Sequence, residues 1–227
     1  TSISSNVYKI IRNCQLQGGL AIACGDAGIG KTQACRQYYR EHGTNCIYIT
    51  VNPCIKSSKS VLELIGSKLN VSSGSVSRLW LEISSKLSDG MVIIVDEAQH
   101  LTRNAIDTLR SLCDCFDEKG QTLGICFVGN ETTVSRLGGK QKAEFAQIRN
   151  RTKNTRFYSV KQIKKSDIEM LFPDIREDTA AVEFLLCIAQ SPQAIRGAVN
   201  LYSNALDNGN VTAKGLSAIA KYMDMAV

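Results

Sequence analysis

No stretch of the 227 residues approaches the ~18 consecutive apolar residues of a membrane-spanning helix, so none is expected among them. A secretory leader is not expected either, because residues 1–13 are polar and spaced as a short amphipathic helix. Zinc has no foothold: the nine cysteines form no C-x-x-C pair, and His42 and His100 are their only histidine company. Internal repeats and low-complexity segments are missing. What remains, with 44% hydrophobic and 21% charged residues, can bury a substantial core and suits one large domain plus a small one.

The most informative segment is Gly25-Asp26-Ala27-Gly28-Ile29-Gly30-Lys31-Thr32, a full G-x-x-x-x-G-K-[ST] motif that follows the apolar run at 20–24. Gly25, Gly28 and Gly30 let the backbone curl until its N–H groups face phosphate oxygens. Lys31 is expected to reach the β- and γ-phosphates, and Thr32 to offer its hydroxyl to Mg²⁺. A helix starting here turns its positive end toward the same anion. The nucleotide-binding set is therefore Gly25 through Thr32 with Gln33 beside it, and the cofactors are ATP/ADP and Mg²⁺.

A second apolar run, Met91-Val92-Ile93-Ile94-Val95, ends in Asp96-Glu97, as a buried parallel strand with acids at its carboxyl end would. Open α/β sheets place ligands there. Asp96 suits the Mg²⁺ shell, and Glu97 suits a water-polarising base, which argues for hydrolysis rather than phosphoryl transfer to a small molecule. A third run at 123–128 ends in Gly129-Asn130. Asn after a strand is commonly turn chemistry, but in the order loop, acids, Asn it reads as a γ-phosphate sensor.

Apolar runs at 20–24, 46–51, 91–95, 123–128 and 156–160 alternate with helical patterns near 31–42, 60–70, 75–88 and 103–118. That alternation predicts an α/β fold with a parallel five-stranded sheet flanked by helices. From residue 166 onward only helical patterns follow, near 166–171, 178–190, 192–207 and 212–223. The expected domains are an N-terminal helix and linker at 1–18, a nucleotide-binding core at 19–162 and a helical lid at 163–227. Ser57-Ser58-Lys59-Ser60 and Ser72-Ser73-Gly74-Ser75 mark loops or helix starts. Cys24, Cys46 and Cys126 lie in or beside strand runs, where a thiol packs as a small hydrophobe. Disulfides are not expected of a nucleotide-hydrolysing core in a reducing cytosol.

On these three motifs the chain resembles the AAA+ ATPases. More closely, through residues 20–39, Val92-Ile93-Ile94-Val95-Asp96-Glu97-Ala98-Gln99-His100-Leu101, and the stretch from Val128-Gly129-Asn130 through Gly138-Gly139 to Glu144-Phe145-Ala146, it resembles the phage Mu B family of ATP-dependent target-DNA activators. The resemblance implies a P-loop AAA+ core with a small C-terminal helical lid. Arg151 matches the finger that reaches a neighbouring subunit's γ-phosphate, with Arg149 its near competitor. Such fingers are typically worth ~10³ or more in rate and require subunits to stack. Arg196, in Ser191-Pro192-Gln193-Ala194-Ile195-Arg196, matches the second sensor, although Gln193 stands where Gly is common. Relatives carry an N-terminal helix-turn-helix domain, which nothing in these 227 residues encodes.

The formal charge of +6 is modest, but positions 149–165 hold Arg149, Arg151, Lys153, Arg156, Lys161, Lys164 and Lys165 without one acid. That strip is either a partner surface or a solvated face. Lys56, Lys59 and Arg103 form a further set on loops that AAA+ assemblies turn toward a central channel. By resemblance they are the DNA-backbone candidates. No aromatic interleaving points to base stacking, so contacts should fall on phosphates and be largely indifferent to sequence. The expected partners are double-stranded DNA, a transposase and further copies of the chain in a helical filament, in the cytoplasm and away from membranes. A helicase loader or replication initiator, a signalling ATPase that binds no nucleic acid and a metabolic P-loop kinase are the rival readings.

Overall fold

The computed structural model describes residues 1–133 and 152–225. Arg149 and Arg151, and the stretch from Gly138-Gly139 to Glu144-Phe145-Ala146, lie outside the described residues. The helices are α1 (Ser2–Gln17), α2 (Lys31–His42), α3 (Ser58–Lys68), α4 (Val76–Lys86), α5 (Arg103–Asp117), α6 (Lys165–Leu171), α7 (Thr179–Gln190), α8 (Ala194–Asp207) and α9 (Ala213–Tyr222). The strands are β1 (Gly19–Gly25), β2 (Cys46–Thr50), β3 (Met91–Asp96), β4 (Leu123–Gly129) and β5 (Thr152–Tyr158).

The strands form one sheet in the order β2-β3-β4-β1-β5. Its inner pairings are parallel, with Cys24 opposite Gly129, Val95 opposite Phe127 and Thr50 opposite Asp96. Every residue of β3 and β4 is buried, as expected of strands covered on both faces, and this explains why they read as unbroken apolar runs. The aligned carboxyl ends bring Thr50, Asp96 and Gly129 to one edge of the sheet. Helix α5 covers it with Ala105, Ile106, Leu109, Leu112, Cys113 and Phe116, a helical-period stripe whose members are nearly solvent-free.

Two compact units divide the chain. One comprises Val7–Gly25 and Thr32–Phe157 and holds the sheet; the other comprises Thr1–Asn6, Asp26–Lys31 and Tyr158–Val227 and holds α6 to α9. The glycine loop between β1 and α2 thus packs with the C-terminal helices.

Serine signals resolve into caps: Ser57 and Ser60 form a reciprocal capping box on α3, and Ser75 accepts from Arg78 N on α4. Strand β5 starts at Thr152, ahead of the apolar run expected at 156–160. As an edge strand it is mostly exposed, so its first residues carry polar side chains and leave no apolar pattern to read. All nine cysteines are free thiols, with Cys24, Cys46 and Cys126 buried.

Candidate functional site

The loop Asp26–Lys31 is held by hydrogen bonds that each engage at least one backbone group. Asp26 N donates to Tyr158 O at 3.0 Å, and Asp26 Oδ2 accepts from Val160 N at 2.8 Å. Lys31 Nζ donates back to Asp26 O at 2.6 Å. Gly28 adopts φ +74°, and its carbonyl accepts from Arg196 N at 3.2 Å. A Cβ there would stand 3.2 Å from the Cβ atoms of both Ala194 and Arg196. Gly30, at φ +99°, is more confined, since a Cβ would meet Ser4 Oγ at 2.6 Å. Both glycines are therefore required by a left-handed backbone and by close packing at once.

The first turn of α8 holds the loop from this side. Ala194, its first residue, has φ +56°, an uncommon conformation for a residue with a Cβ. Gln193 precedes it with Oε1 buried and unpartnered. The departure from Gly at 193 thus coincides with an irregular helix start, while Arg196 remains exposed on α8. Ala27 and Ile29 complete the loop, Ile29 wholly buried, and Thr32 and Gln33 follow in the first turn of α2.

In the sheet unit, Asp96 closes β3 and is buried to 2% exposure. Burial pushes its carboxyl above the usual range, and hydrogen bonds from the Thr32 hydroxyl, the Tyr48 hydroxyl and the Glu97 amide oppose the shift. Tyr48 Oη donates to Asp96 Oδ2 at 3.0 Å and in turn accepts from Thr50 Oγ1 at 3.2 Å. Burial also raises the Tyr48 phenol. Two hard oxygen donors, Thr32 and Asp96, thus lie within hydrogen-bond reach of each other and are of the type that could hold Mg²⁺.

Glu97 sits at φ 58°, ψ 32°, a left-handed conformation that costs free energy in a non-glycine residue and concentrates at functional sites. Its exposed carboxylate accepts from Gln99 Nε2. Gln99 Oε1 accepts from Asn130 N at 3.3 Å. The Asn130 side chain is engaged in turn chemistry, since Oδ1 accepts from Thr132 N at 3.0 Å and from Thr132 Oγ1 at 2.7 Å. Its carboxamide NH₂ is the end able to donate to a phosphate oxygen.

Motif reading alone does not single out Tyr48 or Gln99. Tyr48 shares a strand face with Thr50, and this polar pair in an apolar strand is the signal that could have found it. Gln99 lies in the stretch after the acids, where only a short 3₁₀ turn at Ala98–His100 aims it back.

Lys56, Lys59 and Arg103 are exposed and gather where α3 and α5 begin. Thr102 N donates to Lys56 O at 2.9 Å, and Thr108 Oγ1 donates to Ser58 Oγ at 3.0 Å. Lys59 and Arg103 each face an acid one turn on, Glu63 at 3.9 Å and Asp107 at 3.8 Å, surface pairs typically worth under ~1 kcal/mol. Of the basic strip, Lys153 and Arg156 are exposed on β5. Among the described residues no helix is long and apolar enough to cross a membrane.

A family model for the AAA domain matches residues 14–137. The ATP-dependent target DNA activator B of Escherichia phage Mu is 29% identical over 223 residues, covering 95% of this chain and 67% of that protein. The Mu-like prophage FluMu DNA transposition protein B of Haemophilus influenzae is 28% identical over 213 residues, covering 89% and 70%. The chain therefore spans about two thirds of the length of these relatives. Among solved structures, Aeropyrum pernix ORC2 is similar with a TM-score of 0.67 at 12% identity, over 96% of this chain and 66% of that one. The Thermotoga maritima RuvB branch-migration motor matches with a TM-score of 0.58 at 15% identity, over 97% and 68%. At such identities the likeness concerns the fold.

Proposed function

The chain belongs to the AAA domain family, and from that premise we propose that it is an ATPase that assembles on double-stranded DNA with ATP and delivers that DNA to a transposase. The observation that carries the nucleotide reading is the Thr32–Asp96 pairing at the carboxyl edge of the sheet, with Glu97 as the next residue. When bound, Mg²⁺–ATP supplies the phosphoanhydride bond and the cation that neutralises its charge. Lys31 and the backbone N–H groups of the loop hold the phosphates, and Thr32 and Asp96 hold the metal. Glu97 orients the attacking water and accepts its proton. Asn130 and Arg196 sense the γ-phosphate, and Arg151, or its competitor Arg149, acts on a neighbouring subunit's site. In domain terms, the core at 19–162 carries the chemistry and the lid at 163–227 carries Arg196.

Support for the DNA and transposition reading comes from the functions for which the phage relatives are named and from the clustering of Lys56, Lys59 and Arg103 at two helix starts. Head-to-tail stacking that does not close gives a helical filament, and the cytoplasm is its setting. Electron microscopy with long duplex DNA at fixed salt, without nucleotide, with ADP and with a slowly hydrolysed ATP analogue, tests it. Filaments on DNA confined to the analogue are expected. No association with DNA in any state would refute the reading in favour of a signalling ATPase. Replacing Lys56, Lys59 and Arg103 together by Ala should flatten the salt dependence of binding, by about 0.9 in the log–log slope for each phosphate no longer neutralised.

A further inference from the structure

We infer that Gln99 is a positioning residue for hydrolysis, its carboxamide tying the Glu97 carboxylate to the carboxyl end of β4. The inference rests on Glu97 being the base of an ATPase and assigns a task to a side chain that lies outside the phosphate loop, the acid pair and the sensors.

The geometry starts from the backbone. Glu97 turns left-handed, and the next three residues close a 3₁₀ turn in which His100 N donates to Glu97 O at 3.0 Å and Leu101 N to Ala98 O at 3.1 Å. This turn folds the Gln99 side chain back between two elements far apart in sequence. Nε2 donates to the Glu97 carboxylate, and Oε1 accepts from Asn130 N at 3.3 Å. Only this orientation of the carboxamide satisfies both neighbours, since the flipped amide would set oxygen against carboxylate and NH₂ against N–H.

The absence of a side chain at Gly129 leaves the space for this contact. A Cβ on Gly129 would stand 2.4 Å from Gln99 Oε1 and 2.3 Å from Thr133 Oγ1, so the carboxamide occupies room that any larger residue at 129 would claim. Glu97 itself is exposed and has rotamers to spare. A single donor anchored to a buried strand end therefore confines its carboxylate. Confinement of a base matters because displacements of about 1 Å can cost a hundredfold in rate. The Asn130 end of β4 is thereby linked to Glu97 through the Gln99 side chain.

Two variants separate positioning from mere packing. Gln99→Leu keeps approximate volume and removes both hydrogen bonds. Gln99→Glu is isosteric, keeps an acceptor for Asn130 N–H and turns a second carboxylate toward Glu97. Steady-state hydrolysis and binding of a fluorescent ATP analogue are measured for both, beside wild type and Glu97→Gln. In each variant kcat is expected to fall about tenfold to a hundredfold, while KM and analogue affinity stay within about twofold of wild type, as an effect on the base alone requires. If Gln99→Leu fails to fold, Gln99→Glu decides. A kcat unchanged or raised in the folded variants, or a KM that rises in step with the loss, overturns the inference. A Glu97→Gln variant as active as wild type, or a wild type without hydrolysis, overturns the ATPase reading and the inference with it. An inactive Glu97→Gln beside fully active Gln99 variants overturns the inference alone.

Discussion

In the sheet unit the acid pair is held mainly by contacts between side chains, whereas in the other unit every hydrogen bond that holds the glycine loop engages at least one backbone group. Asp96 is fixed by the hydroxyls of Tyr48 and Thr32, and Glu97 by the carboxamide of Gln99. The loop Asp26–Lys31 is fixed instead by Tyr158 O, Val160 N, Arg196 N and the closeness of Ser4 to Gly30. The difference matches what each region would present under the proposed function. A metal and a water need carboxylates at set positions, which strand ends supply. A phosphate needs converging N–H groups, which only a chain nearly bare of side chains can supply. The sheet unit should therefore lose function when atoms are removed, and the loop when atoms are added.

The largest effect tests the first half. Glu97→Gln should lower kcat by about 10²–10⁴, the range of a general base, with no change in Tm because the side chain is exposed. A drop in Tm alongside would break the comparison by giving Glu97 a share in stability. Gly28→Ala tests the second half. Its methyl would press on Ala194 and Arg196 at φ +74°, so a loss of about 1–2 kcal/mol in urea unfolding is expected, together with at least tenfold weaker nucleotide binding by calorimetry.

Gly129→Ala sharpens the contrast, because there the sheet unit too depends on a missing Cβ. Its methyl would meet Thr133 Oγ1 and Gln99 Oε1, and overpacking of this kind costs roughly 1–3 kcal/mol, readable as a lower urea midpoint. The smallest effect is a gain. Ala194→Gly should stabilise the chain by about 0.5–1 kcal/mol, since relief of a left-handed conformation worth roughly 1–2 kcal/mol outweighs the greater freedom of unfolded glycine. A loss of stability would mean that the buried Ala194 methyl packs for more than its backbone costs.

How much of this is legible beforehand depends on range. The phosphate loop, the acid pair and the strands that precede them are local patterns, so their identity and order are readable from residues 20–32 and 91–97. Asn130 is readable only in part. Asn-Glu-Thr-Thr is a turn and helix-start signal, and the side chain obeys it by binding Thr132. Tyr48 and Gln99 acquire their tasks from strand register, with Thr50 opposite Asp96 and Asn130 following the β4 end, and no local pattern records register. The hold of Ser4 on Gly30 spans 26 positions and is equally invisible to a local pattern.

Under the proposed function, the state of the nucleotide governs attachment to DNA. Its most direct measurement is sedimentation of Glu97→Gln with long duplex DNA at fixed salt, in ATP and in ADP. The variant is expected to pellet with DNA in ATP and to stay in the supernatant in ADP, while wild type in ATP pellets and then leaves the DNA as ATP is consumed. Equal attachment of the variant in ATP and ADP, or none in either, would contradict it.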